Sequence, residues 1–298
     1  MKNKIRSAVP YVFLIIGLFL ISTVGTYLFL YFRDSHEAES TFDDLKDLIV
    51  EVPIEDDNNE QPRDKTGLGS GNDGHALDVR TKPDFSALIE ANSDFVGWLT
   101  VDGTSIDYPV MQTPGNEEYY LHRNFYKNYD YAGVPFCNSA SDIERPSDNI
   151  VIYGHHMRAG TMFNHLTLFQ KEAFYKEHKT FTFDTIYRTG TYEIIGVVLT
   201  HVNEGAFPYW EVVDCTEDEF NEYVDWIAKK SLYKTTGIGD VEYGDRLVTL
   251  STCAYHVTNG RLIVIGKLID SDDIDLINNK EDHVENFEET EKTIYNDN

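Results

Sequence analysis

Two apolar runs rich in β-branched residues, Leu247–Leu250 and Leu262–Ile269, lie close together in the chain. The second run is preceded by Asn259-Gly260, and both of these residues accept positive φ angles at little cost. The pattern therefore predicts two antiparallel strands joined by a turn. Cys253 lies where the first run ends and Arg261 where the second begins. We therefore expect a thiol and a guanidinium near each other at one end of a sheet.

These two residue types suit a nucleophilic site. Thiolate is the nucleophilic form of cysteine, and a neighbouring positive charge favours it. Arginine also offers a fixed fork of donors to a developing oxyanion. Taken alone, however, Cys253 and Arg261 fit a buried strand cysteine and a solvated arginine better, so further residues have to decide.

Eight short apolar runs bounded by turn residues predict an all-β barrel or sandwich. The runs are Val96–Val101, Ser105–Val110, Gly133–Cys137, Asn149–Gly154, Thr180–Tyr187, Thr191–Thr200, Arg246–Ser251 and Leu262–Ile269. Amphipathic spacing predicts a short helix over Asp84–Asn92 and one long helix over Thr216–Leu232. The long helix begins with a sequence that resembles a capping box, Thr216–Glu219.

The run Asn149–Gly154 leads directly into two histidines, His155 and His156. Histidine changes charge near neutral pH and is the usual partner of a catalytic thiol. A glycine before it lets the backbone turn, so that an imidazole can point out of the end of the barrel. The alternatives are a packed or solvated loop histidine, or a metal ligand. We predict no metal site, because neither the usual spacing nor a third ligand is evident.

The segment Val9–Phe32 contains no charged residue, and the basic residues Lys2, Lys4 and Arg6 precede it. About 24 residues at ~1.5 Å each reach roughly 36 Å, enough to cross a hydrocarbon core of about 30 Å. The pattern predicts a transmembrane anchor at residues 9–32, with residues 1–8 in the cytoplasm and the rest of the chain outside. The alternative is a cleaved signal peptide and a secreted protein.

Acidic and polar segments flank the predicted domain, which covers residues 81–270. Residues 33–80 are predicted to form an extracellular helix over Asp34–Val52 and then an acidic flexible linker, which lifts the domain off the membrane. Residues 271–298 are predicted to form an acidic tail. The formal net charge of −26 argues against nucleic acid and against docking on anionic lipid.

The chain has three cysteines, an odd number whose spacing fits no metal knuckle and no disulfide framework. A bridge between Cys137 and Cys215 stays open but is not expected. An unpaired cysteine in an exported protein indicates a reactive thiol.

Several segments together resemble the class B sortases of Gram-positive bacteria. They are TLSTC at Thr249–Cys253, the IYGHHM and TMF sequences within Ile152–Leu166, the segment Phe85–Gln112, and Arg261 at the start of the last run. The resemblance covers nearly all of Pro83–Ile269. It implies a closed eight-stranded β-barrel with one long helix before the last two strands, behind a transmembrane helix. It also implies a cysteine transpeptidase that needs no cofactor.

The resemblance implies roles for single residues as well. Cys253 matches the nucleophile, and His155 matches the general acid and base. Arg261 matches the arginine that binds substrate and steadies the oxyanion. The residues expected to line the substrate site are Ser251, Thr252 and His156.

The implied substrates are surface proteins with a C-terminal sorting motif, NPQTN-like or PxTG-like, which is cleaved after threonine through a thioacyl-enzyme. The implied acceptor is an amine of cell-wall peptidoglycan. A pilus-polymerising sortase, a papain-like hydrolase and a non-catalytic membrane-anchored binding module remain as alternatives. Two features depart from the family pattern: the short, less acidic segment Ala254–His256 and the acidic tail.

Overall fold

Ten strands and four α-helices make up the part of the chain that the structure describes, residues 2–53 and 81–272 of a computed structural model. The strands are β1 (Val50–Pro53), β2 (Thr81–Asp84), β3 (Phe95–Thr100), β4 (Asp107–Met111), β5 (Phe136–Cys137), β6 (Asn149–Tyr153), β7 (Thr180–Thr185), β8 (Thr191–His201), β9 (Leu247–Cys253) and β10 (Gly260–Asp270). The α-helices are α1 (Lys2–Lys46), α2 (Ser86–Ala91), α3 (Glu172–Glu177) and α4 (Glu217–Lys230). Three 3-10 helices cover Glu117–His122, Phe163–Gln170 and Gly237–Asp240.

Eight strands close into a barrel in the order β10-β8-β7-β3-β4-β5-β6-β9. Neighbouring strands are antiparallel except for the pairs β4–β5 and β6–β9, which are parallel. Closure leaves none of these strands as a free edge. The predicted closed eight-stranded barrel is confirmed, and each of the eight predicted runs becomes one of its strands.

The last two strands form the predicted hairpin, with Arg261 opposite Cys253 and Lys267 opposite Leu247. The Asn-Gly pair closes a longer loop, rather than forming a two-residue turn. Asn259 has a positive φ of 56°. Gly260 opens β10, and a Cβ there would lie 2.2 Å from the carbonyl oxygen of Ala254. Glycine is therefore required at this position by close backbone approach.

Helix α4 covers one outer face of the barrel. Its predicted capping box is present, since the Thr216 side chain accepts from the Glu219 N–H and the Glu219 carboxylate accepts from the Thr216 N–H. The fully buried side chains of α4 are Phe220, Tyr223 and Ile227, and they pack on residues of β8, β9 and β10. A second apolar cluster thus lies outside the barrel, beneath α4.

Helix α1 runs without interruption from Lys2 to Lys46, where the sequence predicted a span and then a separate helix. Within the described residues, Tyr11–Phe29 is the one stretch long and apolar enough to cross a membrane. The C-terminal end of α1 packs on the barrel. Phe42 is buried and its ring lies 5.0 Å from that of Tyr108 on β4. Lys46 forms an ion pair with Asp107.

Strand β1 follows α1 and pairs antiparallel with β2, a pairing that the sequence did not reveal. Pro53 and Thr81 are opposite each other in this pair. The apolar stretch is therefore joined to the barrel through α1 and the β1–β2 pair. The predicted linker Glu55–Asp78 lies outside the described residues, as does the predicted acidic tail beyond residue 272.

Candidate active site

Cys253 and Arg261 are paired across β9 and β10 at one end of the barrel. Both residues are half-buried. Arg261 Nη1 donates to the carbonyl oxygen of Gly260 at 3.0 Å. Within residues 2–53 and 81–272, Arg261 forms no ion pair. Its charge is therefore not neutralised by a carboxylate of the described chain, and its donors can reach an anionic group beside the thiol.

The three cysteines are free thiols in different surroundings. Burial raises the pKa of the Cys137 thiol far above its ordinary value. Burial and the neighbouring Asp148 carboxylate raise the pKa of Cys215 to about 12. Both of these thiols stay protonated at neutral pH, and a protonated thiol is a poor nucleophile. Among the three, Cys253 is left as the candidate nucleophile.

Strand β6 brings His155 to the other side of β9. The two strands are parallel, with Tyr153 opposite Ser251. One residue further on, Thr252 Oγ1 donates to the carbonyl oxygen of Gly154 at 2.8 Å. His155 and Cys253 directly follow these joined residues. The end of β9 therefore lies between the strand that leads into His155 and the strand that carries Arg261 near its start.

The imidazole of His155 is held by three groups from one loop. Its Nε2 lies 2.9 Å from the carbonyl oxygen of Leu121. Its ring stacks on those of His122 and Tyr131, with centroids 5.3 Å and 6.3 Å away. Burial lowers the pKa of His155; the bond to Leu121 opposes this shift, and a charge on His122 would add to it. The neutral imidazole is therefore the main form at neutral pH.

His156 points to the opposite side of the same strand end. Its Nδ1 lies 2.8 Å from the carbonyl oxygen of Cys253, and its ring centroid lies 5.1 Å from that of Tyr255. Because a carbonyl oxygen only accepts, Nδ1 carries the hydrogen. This hydrogen bond connects the last residue of β9 to the loop that follows β6. The half-buried ring of His156 borders the site.

Ser251 and Thr252 are both about 2% exposed. The Ser251 hydroxyl hydrogen-bonds to the hydroxyl of Tyr209 at 2.7 Å, and the Thr252 hydroxyl donates to the carbonyl oxygen of Gly154. Their side chains hold the end of β9 to its neighbours. Contact of either residue with substrate stays a prediction.

The loop after His156 is fixed by a strained residue. Met162 has φ 55° and ψ −140°, a conformation that costs a residue with a side chain roughly 1–3 kcal/mol. It is fully buried and bridges to His156. The next residue, Phe163, donates its N–H to the His155 carbonyl at 2.8 Å, and its ring fills the space that a Cβ on Gly154 would need. The hydrogen bond from Phe163 and the packing of its ring on Gly154 therefore fix the backbone of His155.

The sequence pointed to Cys253, His155 and Arg261 but assigned no role to the loop that holds the imidazole. The residues concerned are Leu121, His122 and Tyr131, and none of them was singled out from the sequence. The described residues contain no group of three histidine, cysteine or acidic side chains placed to hold a metal ion. The prediction of a metal-free reaction remains a prediction.

Comparisons with known proteins place the barrel in a known family. A family model for the sortase domain matches residues 99–269. Sortase B of Staphylococcus aureus is 30% identical over 190 residues, which is 63% of this chain and 75% of that protein. Sortase B of Listeria monocytogenes is 34% identical over 184 residues, 61% of this chain and 72% of that protein. A solved Staphylococcus aureus sortase B–substrate complex, 30% identical, gives a TM-score of 0.56 and covers 62% of this chain and 84% of that one.

Proposed function

Because the chain belongs to the class B sortases, a family of cysteine transpeptidases, we propose that Cys253 is its nucleophile, His155 its general acid and base, and Arg261 its oxyanion-binding residue. One observation carries the proposal. Cys253 ends the central strand of three, with Arg261 opposite it on β10 and His155 two residues after the end of the parallel strand β6.

The first step is acylation of the thiol. The Cys253 thiolate sulfur attacks the carbonyl carbon of the threonine in a sorting motif, NPQTN-like or PxTG-like. Arg261 donates to the resulting oxyanion. The His155 imidazolium then gives its proton to the leaving amine nitrogen, the C–N bond breaks, and a thioester remains on Cys253.

The second step transfers the acyl group to an amine. The amine nitrogen attacks the thioester carbon and gives a proton to neutral His155, and the C–S bond breaks to release the thiolate. We propose an amine of cell-wall peptidoglycan as the acceptor, so that the enzyme attaches surface proteins to the wall. An amine of another pilin would make the same chemistry a polymerisation.

The state of His155 bears on the rate. Burial lowers its pKa, so the imidazolium that the first step needs is the minor form at neutral pH. Only the fraction of molecules that holds the imidazolium is then ready to protonate the leaving amine, which lowers the rate of the first step.

The proposed substrate site lies at the barrel end that carries these residues. Solved sortase B bound to a substrate supports a peptide in the corresponding place. Ser251, Thr252 and His156 would shape this site. In our proposal Ser251 and Thr252 act mainly by holding the end of β9 in place, because their hydroxyls are hydrogen-bonded within the protein.

The location proposed for this enzyme is the outer face of the cell membrane. None of the residues of the apolar stretch Tyr11–Phe29 within α1 is buried, and its mean hydropathy is 2.3. An uncleaved anchor with a cytoplasmic N-terminus would place the barrel outside the cell, where wall amines are found.

The test uses the full chain in detergent micelles and a small library of sorting-motif peptides, with and without an amine donor. Mass spectrometry identifies the cleaved bond and the joined product. We expect Cys253→Ala to abolish cleavage and Arg261→Lys to lower it by at least about 100-fold, because a point charge does not replace the fork. Cys215→Ala is the matched control and should stay active. Cleavage by Cys253→Ala would refute the proposal.

A further inference from the structure

Two aromatic rings from the chain region Leu121–Tyr131 pack against the imidazole of His155. His122 and Tyr131 stack on its ring at interplanar angles of 24° and 5°. His122 and Tyr131 also stack on each other, with centroids 5.7 Å apart and planes 19° apart. The imidazole of His155 thus belongs to a set of three nearly parallel rings.

This cluster lies at the surface and contributes little to the core. Tyr131 is 52% exposed and His122 is half-buried. Neighbouring Tyr129 is 79% exposed, with its ring centroid 6.5 Å from that of His122. Removing an exposed ring usually changes stability little. Stacked rings at such positions therefore need an explanation other than burial of apolar surface.

The same loop sets the tautomer of His155. Leu121, next to His122, offers its carbonyl oxygen to Nε2 at 2.9 Å. A carbonyl oxygen only accepts, so Nε2 carries the hydrogen, and Nδ1 of the neutral ring has the free lone pair. Nδ1 is therefore the nitrogen that can take up and deliver a proton.

The backbone around Leu121 is held closely in place. Gly133 has a φ of 64°, and a Cβ there would lie 2.5 Å from the carbonyl oxygens of both Tyr120 and Leu121. Val134 N–H donates to Tyr120 O at 3.2 Å, and the Tyr120 hydroxyl donates to Asp94 at 2.7 Å. The acceptor for His155 is thus a fixed part of the loop.

We propose that His122 is a positioning residue, which holds the ring of His155 by stacking so that Nε2–H stays on Leu121 and Nδ1 performs the proton transfers. This inference rests on the proposed role of His155. The contact between His122 Nδ1 and the Tyr131 carbonyl oxygen is long, at 3.4 Å, and contributes little. The stacking of the His122 ring, and not a hydrogen bond from it, is therefore the interaction proposed to hold His155. A phenyl ring should serve in its place, and a methyl group should not.

The experiment compares His122→Phe and His122→Ala in the full chain in detergent micelles. His178→Ala is the matched control, because its imidazole also packs against an aromatic ring, that of Phe174 with centroids 4.4 Å apart and planes tilted by 36°, but lies outside this cluster. Two quantities are measured at pH 8: the ¹⁵N shifts of the His155 ring, which report its tautomer, and kcat and KM for a cleaved sorting peptide.

For His122→Ala we expect kcat to fall about tenfold, KM to stay within about twofold, and both tautomers of His155 to appear, because a misplaced group lowers the rate without weakening binding. His122→Phe should stay within about threefold in kcat and keep one tautomer, and His178→Ala should match the parent. Should His122→Ala unfold, Tyr131→Ala removes the other stacked ring from an exposed position and is expected to act in the same way.

An unchanged kcat or an unchanged tautomer in His122→Ala would overturn the inference. Equal losses in His122→Ala and His122→Phe would do so too. Failure of the proposed function is a separate result, since it would show as an active His155→Ala variant whatever the tautomer of the parent.

Discussion

Replacing Thr252 by valine removes one hydroxyl from the end of β9 and keeps the β-branched shape of the side chain. Thr252 is about 2% exposed, and its hydroxyl donates to the Gly154 carbonyl, one residue before His155. Losing this bond leaves a carbonyl oxygen short of a partner near the strand end. We expect Thr252→Val to lower the free energy of unfolding by about 1–2 kcal/mol. For a domain of this size the melting temperature should fall by roughly 2–8 °C.

The effect on catalysis should exceed what this loss of stability explains. Without the bond from Thr252, the carbonyl of Gly154 can shift, and with it the backbone of His155. A misplacement of about 1 Å can cost up to 100-fold, and a partial shift should lower kcat about tenfold. KM should stay within about twofold if Thr252 acts on His155, whereas a lost substrate contact would raise KM.

Thr249→Val on the same strand is the matched control. The Thr249 hydroxyl is fully buried, donates to Asn149 at 2.8 Å and hydrogen-bonds to Tyr223 at 2.7 Å. Its loss should cost at least as much stability while leaving kcat unchanged at 25 °C. Thermal unfolding by circular dichroism and initial rates over a range of peptide concentrations provide both values. Equal kcat in the two variants, or a rise in KM alone for Thr252→Val, would refute the reasoning.

Two further predictions concern the body of the barrel. Burial raises the pKa of Asp184 to about 6, so the folded chain loses stability as pH rises from about 4 to 6; Asp184→Asn should be about 1–2 kcal/mol more stable than the parent at pH 8 and equal to it at pH 3.5. Urea unfolding at both pH values measures this, and an equal gain at both would contradict it. A Cβ on Gly196 would lie 2.2 Å from Ile227 Cγ2 of α4, so Gly196→Ala should cost about 1–3 kcal/mol alone and much less in an Ile227→Ala background. Additive losses in this double-mutant cycle would show that the two side chains do not meet.

The barrel strands were predictable because each is a short apolar run bounded by turn residues. The run Arg246–Ser251 became β9, two residues longer at its C-terminal end, so that Cys253 is its last residue. The predicted run Gly133–Cys137 shrank to the two residues of β5, because Gly133 adopts a positive φ that does not belong to a strand. The pattern of apolar and turn residues locates such strands well, but local backbone conformations such as the positive φ of Gly133 shift their ends.

The meeting of Cys253 with Arg261 followed from the hairpin, a local signal. The approach of β6 to β9 joins residues about 100 positions apart, and only the resemblance to a known family suggested it. The loop around His155 was harder still, because one of its contributions is the backbone carbonyl of Leu121, which any residue type supplies. Hydroxyls such as that of Ser251 were expected to face substrate, and nothing in the sequence indicated that Tyr209 bonds to it.

The continuity of α1 gives the proposed enzyme a fixed height above the bilayer. From Phe29, where the apolar stretch ends, to Ala38, which is buried in the core cluster of the barrel, the helix rises only about 14 Å over nine residues. If the apolar stretch spans the membrane as proposed, this short rigid helix would hold the barrel close to the lipid headgroups. On this proposal, a substrate protein anchored in the same membrane would meet the barrel more often than a protein released from the membrane.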